Sequence, residues 1–362
     1  MNRNILNFTV GPVMMDDTIR LENAEQIPYF RTSEFSEIMK ENEKYLCKYL
    51  NAPLNSRAVF MTGSGTSSME ASIMNFFTTK DKVLVVNGGS FGHRFVQLCQ
   101  IHEIPFTEIH LEYGQKLTKE ILEKYNGKDY TGMILQHHET STGVLYDLNL
   151  VGKFCKKNKL FLLVDAISSF MADEINMQKN NINAVIMGSQ KAMALPPGLS
   201  FIVADEVGVN KINTNNVKSM YFNLKDYLKD GERGQTPFTP AVGTLLLLNT
   251  RLKMIESNGG VESIIKHTHE VAEYFRKEIK DLPLKIFSTS PANAVTALVR
   301  KNGKSAYDVF LTMKDKYNIF ICPNGGDLKD KIFRVGHIGH ITKEDLDILL
   351  TAFHDMNKNG DL

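Results

Sequence analysis

Between residues 57 and 205 the chain alternates short, unbroken apolar runs with longer stretches of helical spacing. The runs are Val83-Leu84-Val85-Val86, Met133-Ile134-Leu135, Leu160-Phe161-Leu162-Leu163-Val164, Val185-Ile186-Met187 and Leu199-Ser200-Phe201-Ile202-Val203. Runs this apolar, with little polar alternation, predict strands buried on both faces. Separated by helices, such strands build βαβ units and a mainly parallel sheet. Past residue 255 the texture changes: Ile264 to Ile279 and Ala306 to Met313 have helical spacing, and Ala294-Val295-Thr296-Ala297-Leu298-Val299 reads as a strand. The pattern predicts an α/β chain in three parts. An N-terminal segment, 1–20, packs outside the main sheet; a large domain, 21–250, holds the mainly parallel central sheet; and a smaller α+β C-terminal domain, 251–362, follows a joint near Asn258-Gly259-Gly260.

In open α/β sheets ligands bind just past the carboxyl ends of the strands, so the residues after each run are the ones to search. Lys191 follows the run Val185 to Met187 closely, where a partly desolvated amine loses its proton easily and forms a Schiff base with a carbonyl. Asp165 follows Val164 directly, where an unpaired charge is costly and a pyridinium nitrogen would supply its cation; alone, it would serve equally as a helix cap. Gly63-Ser64-Gly65-Thr66-Ser67-Ser68 opens a helix with glycines and hydroxyls, an outline that suits either a phosphate or an ordinary cap. His138-Glu139-Thr140-Ser141-Thr142-Gly143 clusters hydroxyls after a third strand, where plain turn chemistry is the alternative. Asn87-Gly88-Gly89-Ser90-Phe91 offers a flat ring after a fourth, worth about 1 kcal/mol if it stacks on a heteroaromatic ligand.

Composition narrows the classes further. Hydrophobic residues at 43%, charged residues at 23% and a formal net charge of +1 carry no basic surplus, so nucleic acid is not an expected partner. Cys47, Cys99, Cys155 and Cys322 are scattered without a CxxC pair, which indicates reduced thiols and no metal site. No run approaches the roughly 20 apolar residues of a membrane span, and Met1 to Phe8 has no secretory pattern, so the expected compartment is the cytoplasm.

Ser189-Gln190-Lys191-Ala192 followed by Pro196-Pro197-Gly198, together with Ser141-Thr142-Gly143 and Val164-Asp165-Ala166, resembles the class V aminotransferases, a family of fold type I pyridoxal phosphate enzymes. The similarity is greatest to the alanine–glyoxylate and serine–pyruvate branch and runs from Gly11-Pro12 into the C-terminal domain. It implies that Lys191 forms the Schiff base with pyridoxal 5′-phosphate and carries the proton between substrate and cofactor. Asp165 would pair with the pyridine nitrogen, Phe91 stack on the ring and Thr140 touch its edge. Ser64, Gly65, Thr66 and Gln190 would hold the phosphate, completed by Thr236 from the neighbouring subunit of a homodimer. Ile332-Phe333-Arg334-Val335-Gly336 matches the segment whose arginine binds the substrate carboxylate, and Gly11 and Arg31 would add substrate-side contacts. A guanidinium grips a carboxylate through two parallel charge-assisted hydrogen bonds, whatever the family. The chain departs from the family in two places: Phe30-Arg31 stands where His-Arg is usual, and Thr239 adds a second threonine beside Thr236. The implied reaction is a ping-pong transamination from a small alanine- or serine-like amino acid to pyruvate or glyoxylate. The alternatives are 2-aminoethylphosphonate–pyruvate transamination and a cysteine desulfurase-like lyase with Cys322 as its thiol.

Overall fold

The computed structural model describes residues 5–362, so the first four residues of the N-terminal segment lie outside it. Seven strands form the larger sheet, in the spatial order Arg57–Thr62, Leu199–Ala204, Ala184–Gly188, Phe161–Asp165, Gly132–Gln136, Val83–Asn87 and Phe106–His110. From Ala184–Gly188 to Phe106–His110 every pairing is parallel; Leu199–Ala204 runs antiparallel to both of its neighbours.

Within these strands the side chains sort by the two-residue period of extended chain. Leu162, Val164, Val185 and Met187 enter one apolar cluster, while Phe161, Leu163, Ala184 and Ile186 enter the cluster on the opposite face. Each cluster is completed by helices, among them Ser33–Tyr49 and Val242–Ser257 on the first face and Gly65–Phe76 and Ser90–Ile101 on the second. The unbroken apolar runs therefore reflect two covered faces. Arg57–Thr62 and Phe106–His110 lie at the sheet's edges, and the latter is only partly buried, in keeping with its mixed sequence Phe-Thr-Glu-Ile-His.

A second sheet holds five strands in the order Leu6–Phe8, Ile319–Pro323, Phe333–Gly336, Val295–Arg300 and Leu284–Ile286. Its first strand comes from the opposite end of the chain and pairs in parallel with Ile319–Pro323. Phe8 is fully buried in the cluster that includes Phe275, Phe333 and Phe353. The helix Val242–Ser257 runs unbroken through residue 250, and the turn at Gly259 and Gly260, with φ of +94° and +78°, leads into the helix Gly260–Glu278.

After its strand the N-terminal arm continues toward the main sheet, and it passes close to Gly336: a Cβ added there would lie 2.4 Å from the Thr9 carbonyl oxygen. Gly336→Ala is expected to destabilise the protein by about 1–3 kcal/mol through this overpacking. Gly325→Ala, with nothing within 4 Å of the new methyl, should stay within about 0.5 kcal/mol of wild type. Urea midpoints of the two variants test this, and equal midpoints would contradict the close approach.

Candidate active site

Four adjacent parallel strands deliver their carboxyl ends to one edge of the larger sheet, and each ends at or is followed by a residue with chemistry: Asp165 at a strand's end, and Lys191, Thr140 and Phe91 just past the others. Lys191 sits in the loop between Ala184–Gly188 and Leu199–Ala204. Ser189 pins that loop, its hydroxyl donating to the Pro196 carbonyl at 2.6 Å and its N–H to the Leu199 carbonyl at 3.0 Å. The lysine is 8% exposed, and its amine has no hydrogen-bond or ion-pair partner among the described residues. Burial, reinforced by the Arg334 charge, lowers its pKa to about 8, although Cys322 and Asp165 pull the other way. Gly11, at φ +131°, packs against the lysine stem: a Cβ there would come within 2.8 Å of Lys191 Cδ.

Asp165 is the last residue of its strand and is buried. One carboxylate oxygen accepts the Ile167 N–H at 2.8 Å. Burial foremost, with a contribution from Glu139, pushes its pKa up to about 7 against the opposing effects of the Ile167 N–H, Lys191 and Arg94. A cation at the remaining oxygen would favour the ionised form.

Thr140 donates to the Ser168 hydroxyl at 2.6 Å, and its carbonyl accepts Arg334 Nη1 at 3.1 Å. Arg334 thus reaches across from the second sheet. Its Nη2 donates to the Pro323 carbonyl at 2.6 Å, its buried Nε has no partner, and no carboxylate pairs with it among the described residues. The guanidinium is held in place by main-chain oxygens while its charge remains uncompensated.

The turn Gly63 to Thr66 opens the helix Gly65–Phe76, whose N-cap Ser64 makes no side-chain capping bond. Gly65 packs on Ile167, where a Cβ would lie 2.5 Å from Cδ1, so this turn abuts the Asp165 loop. Gln190 Oε1 is buried and unpartnered nearby, 3.0 Å from where a Cβ on Gly188 would sit. Arg94 ties the group together: Nη1 donates to Thr66 Oγ1 at 3.1 Å and the guanidinium lies 5.1 Å from the Phe91 ring centroid.

The family model for "Aminotransferase class-V" matches residues 23–327. The chain belongs to this family. A class V aminotransferase of this kind has relatives along nearly its whole length. A protein of Anabaena cylindrica named as the 42 kDa subunit of a soluble hydrogenase is 31% identical over 353 residues, 96% of this chain and 91% of that protein. The serine–glyoxylate aminotransferase of Hyphomicrobium methylovorum is 26% identical over 343 residues, 92% and 84% of the two chains. The crystal structure of an alanine–glyoxylate aminotransferase from Nostoc superposes with a TM-score of 0.91 at 23% identity, covering 98% of this chain and 96% of that one, and shows the shared fold.

The cofactor of this class V aminotransferase is pyridoxal 5′-phosphate. The residues present suit it: an unpartnered buried amine, a carboxylate with a free oxygen on the adjacent strand, an uncapped helix N-terminus, and the side-chain amide of Gln190, whose Nε2 can donate to a phosphate. Gly11, Ser64, Gly65, Thr66, Phe91, Thr140, Asp165, Gln190, Lys191 and Arg334 are brought to this one region. Arg31 and Thr236 are brought to each other instead. Arg31 Nη1 donates to the Thr236 carbonyl at 3.0 Å and Thr236 Oγ1 to the Phe238 carbonyl at 2.7 Å, and none of their contacts reaches Lys191. Cys322 lies on the strand Ile319–Pro323 opposite Arg334, with its thiol toward the Pro323 carbonyl at 3.6 Å.

Three residues in the site carried no separate assignment from the sequence. Arg94 joins the phosphate turn to the ring platform. Glu139, fully buried, accepts the Gly92 and Phe91 N–H groups at 2.9 and 3.2 Å, and so caps the helix Ser90–Ile101 from outside. It also accepts Gln136 Nε2 and the Ser141 hydroxyl. His138 is buried with both ring nitrogens unpartnered; burial, then the Lys191 charge, lowers its pKa to about 3, so it is neutral. The signal for Glu139 was present: a carboxylate between hydroxyl residues just past a buried strand needs donors.

These shifts predict opposite pH trends in the cofactor-free protein. Native Lys191, near 8, binds fewer protons than the unfolded lysine at 10.5, so its contribution grows as pH rises between those values. Native Asp165, near 7, binds more protons than the unfolded carboxyl at 3.8, so its contribution is lost as pH rises between those values. The stability of wild type minus that of Asp165→Asn should therefore fall from about pH 4 to pH 7 and level off above. Urea melts across that range check it; a difference independent of pH would contradict the burial of this carboxyl.

Proposed function

We propose that this class V aminotransferase moves an amino group from a small alanine- or serine-like amino acid to a small 2-oxo acid, pyruvate or glyoxylate, by a ping-pong mechanism. The observation that carries this reading is the pairing of one unpartnered buried amine, Lys191, with one uncompensated guanidinium, Arg334, close enough that the arginine charge acts on the lysine. The serine–glyoxylate and alanine–glyoxylate aminotransferases among its relatives support the choice of substrates.

Bound pyridoxal phosphate supplies an electron-withdrawing ring that stabilises negative charge at the substrate α-carbon. The chain's own residues do the rest. Lys191 would anchor the cofactor covalently and, once the incoming amino group frees its amine, would accept and return the α-proton. Asp165 would pair with the pyridine nitrogen and favour its protonated form. Phe91, fixed by Glu139 and flanked by Arg94, would stack on the ring. Ser64, Gly65, Thr66 and Gln190 would hold the phosphate, and Thr140, kept in place by Ser168 and Arg334, would meet the ring edge. Arg334 would grip the substrate carboxylate and so fix the orientation of the α-carbon. Gly11 leaves room beside the lysine stem.

The assembly we propose is a homodimer in the cytoplasm. Thr236 and Arg31, which meet each other away from Lys191, would then serve the active site of the second subunit. Among the described residues no helix is long and apolar enough to cross a membrane. The large domain, 21–250, would bind the cofactor, and the smaller C-terminal domain, 251–362, would bring Arg334. A desulfurase reading would need a mobile nucleophilic thiol, whereas Cys322 lies within a paired strand.

The purified protein should absorb in the visible range. That band should bleach with alanine or serine alone and return with pyruvate or glyoxylate; bleaching by 2-aminoethylphosphonate instead would reassign the donor. Borohydride should fix the cofactor to Lys191, and labelling of another lysine would overturn the site. Arg334→Lys should lower kcat/KM for the amino acid by roughly 10- to 100-fold, because one bidentate charge-assisted contact is lost.

A further inference from the structure

A cavity of about 400 Å³ lies where the N-terminal arm, the Lys191 loop and the segment after the Arg334 strand converge. Its ionisable lining consists of Asp16, Arg251, His267, His340 and Lys343. Arg251 and Lys343 there face a single carboxylate, Asp16, with His267 and His340 beside them.

The one carboxylate is already engaged. Asp16 Oδ1 accepts the Thr18 N–H at 2.8 Å as a helix cap, and Oδ2 faces His340 Nδ1 at 3.6 Å. Arg251, on the helix Val242–Ser257, is half-buried. Its Nε donates to the Met193 carbonyl at 3.2 Å; the Asp16 charge acts on it across the cavity, but its two terminal amino groups make no hydrogen bond or ion pair within contact distance of any described residue. Lys343 lies over the Tyr274 ring, 5.4 Å from its centroid, and likewise has no carboxylate partner among the described residues. A half-buried guanidinium whose two terminal amino groups have no acceptor is matched by an oxyanion, which accepts two parallel hydrogen bonds at once.

We propose that this cavity binds a phosphate-class oxyanion, inorganic phosphate or a small phosphate monoester, at a site separate from the pocket at Lys191 and Arg334. The volume exceeds that of one phosphate group and falls in the usual range for small-molecule sites, which leaves room for an organic portion. Met193, held by Arg251, is two residues past Lys191, and Gly339 and His340 follow the strand that carries Arg334. The His340 N–H donates to the Met14 carbonyl at 2.8 Å, in the same arm that brings Gly11 to the lysine. A bound anion would clamp all three segments together. This assignment does not depend on which amino acid the enzyme uses.

The test uses the holoenzyme, so that phosphate does not compete for the cofactor's own phosphate site. Inorganic phosphate is titrated at constant ionic strength against chloride, and melting temperature and binding heat are read. Saturable binding that raises the melting temperature is expected. Arg251→Gln should weaken it at least about tenfold. Lys343→Gln, which leaves the Met193 contact untouched, should weaken it severalfold. Arg334→Gln should leave it unchanged. No effect beyond that of chloride, or equal affinity in wild type, Arg251→Gln and Lys343→Gln, would overturn the proposal. So would a response lost in Arg334→Gln and kept in Arg251→Gln, which would put phosphate in the substrate pocket.

Discussion

Keeping one amine out of water with no hydrogen-bonded or ion-paired partner is the constraint on which the rest of this structure depends. A lysine left in a dry loop without a carboxylate destabilises the fold, and the chain offsets that cost with a long, doubly covered sheet. Lys191 rides on the end of a central strand whose side chains pack into both apolar clusters, in a loop whose shape is fixed by Ser189. Its neighbours are arranged so that no single charge dominates. Arg334 disfavours the protonated amine while Asp165 and Cys322 favour it, and burial decides the balance. An amine poised near neutrality is the outcome of that competition.

The platform around the amine is built by a second buried charge that is fully satisfied. Glu139 sits under the N-terminus of the helix Ser90–Ile101, accepting two of its free N–H groups, and the helix dipole favours the negative charge there. This fixes Phe91 at the first turn of the helix, and Gly89 and Gly92 are needed where backbone, Glu139 and Gln136 crowd together. Arg94, one turn further on, binds Thr66 and lies against Phe91, so the residues assigned to ring and phosphate share one guanidinium. The geometry of the site thus follows from helix-end electrostatics as much as from the residues that would meet the cofactor.

Much of this was legible in the sequence because burial on two faces leaves unbroken apolar runs. The five inner strands read directly, and the rule that ligands gather at strand carboxyl ends pointed to Lys191, Asp165, Thr140 and Phe91. Phe106–His110 was hidden because an edge strand alternates and resembles a loop, and Arg57–Thr62 because its apolar stretch lies at the other edge beside a glycine turn. That Leu6–Phe8 joins a sheet made mostly of residues after 284 could not be read from local pattern at all, since pairing over three hundred residues is decided by the assembled core. Arg94 and Glu139 were missed for a related reason. Charged residues near a turn look like surface until the partner supplied by a distant segment is seen. Arg31 and Thr236 belong to a third kind: the resemblance assigned them, yet within one chain they satisfy each other.

The central claim is that Lys191 is the covalent seat of the cofactor with Asp165 at the far side of its ring. A crystal structure of the holoenzyme tests it most directly. Continuous density from Lys191 Nζ to the cofactor, with an Asp165 carboxylate oxygen in hydrogen-bond contact with the pyridine nitrogen, is the result this account predicts. Cofactor density joined to another residue, or a ring turned so that Asp165 faces no nitrogen, would contradict it.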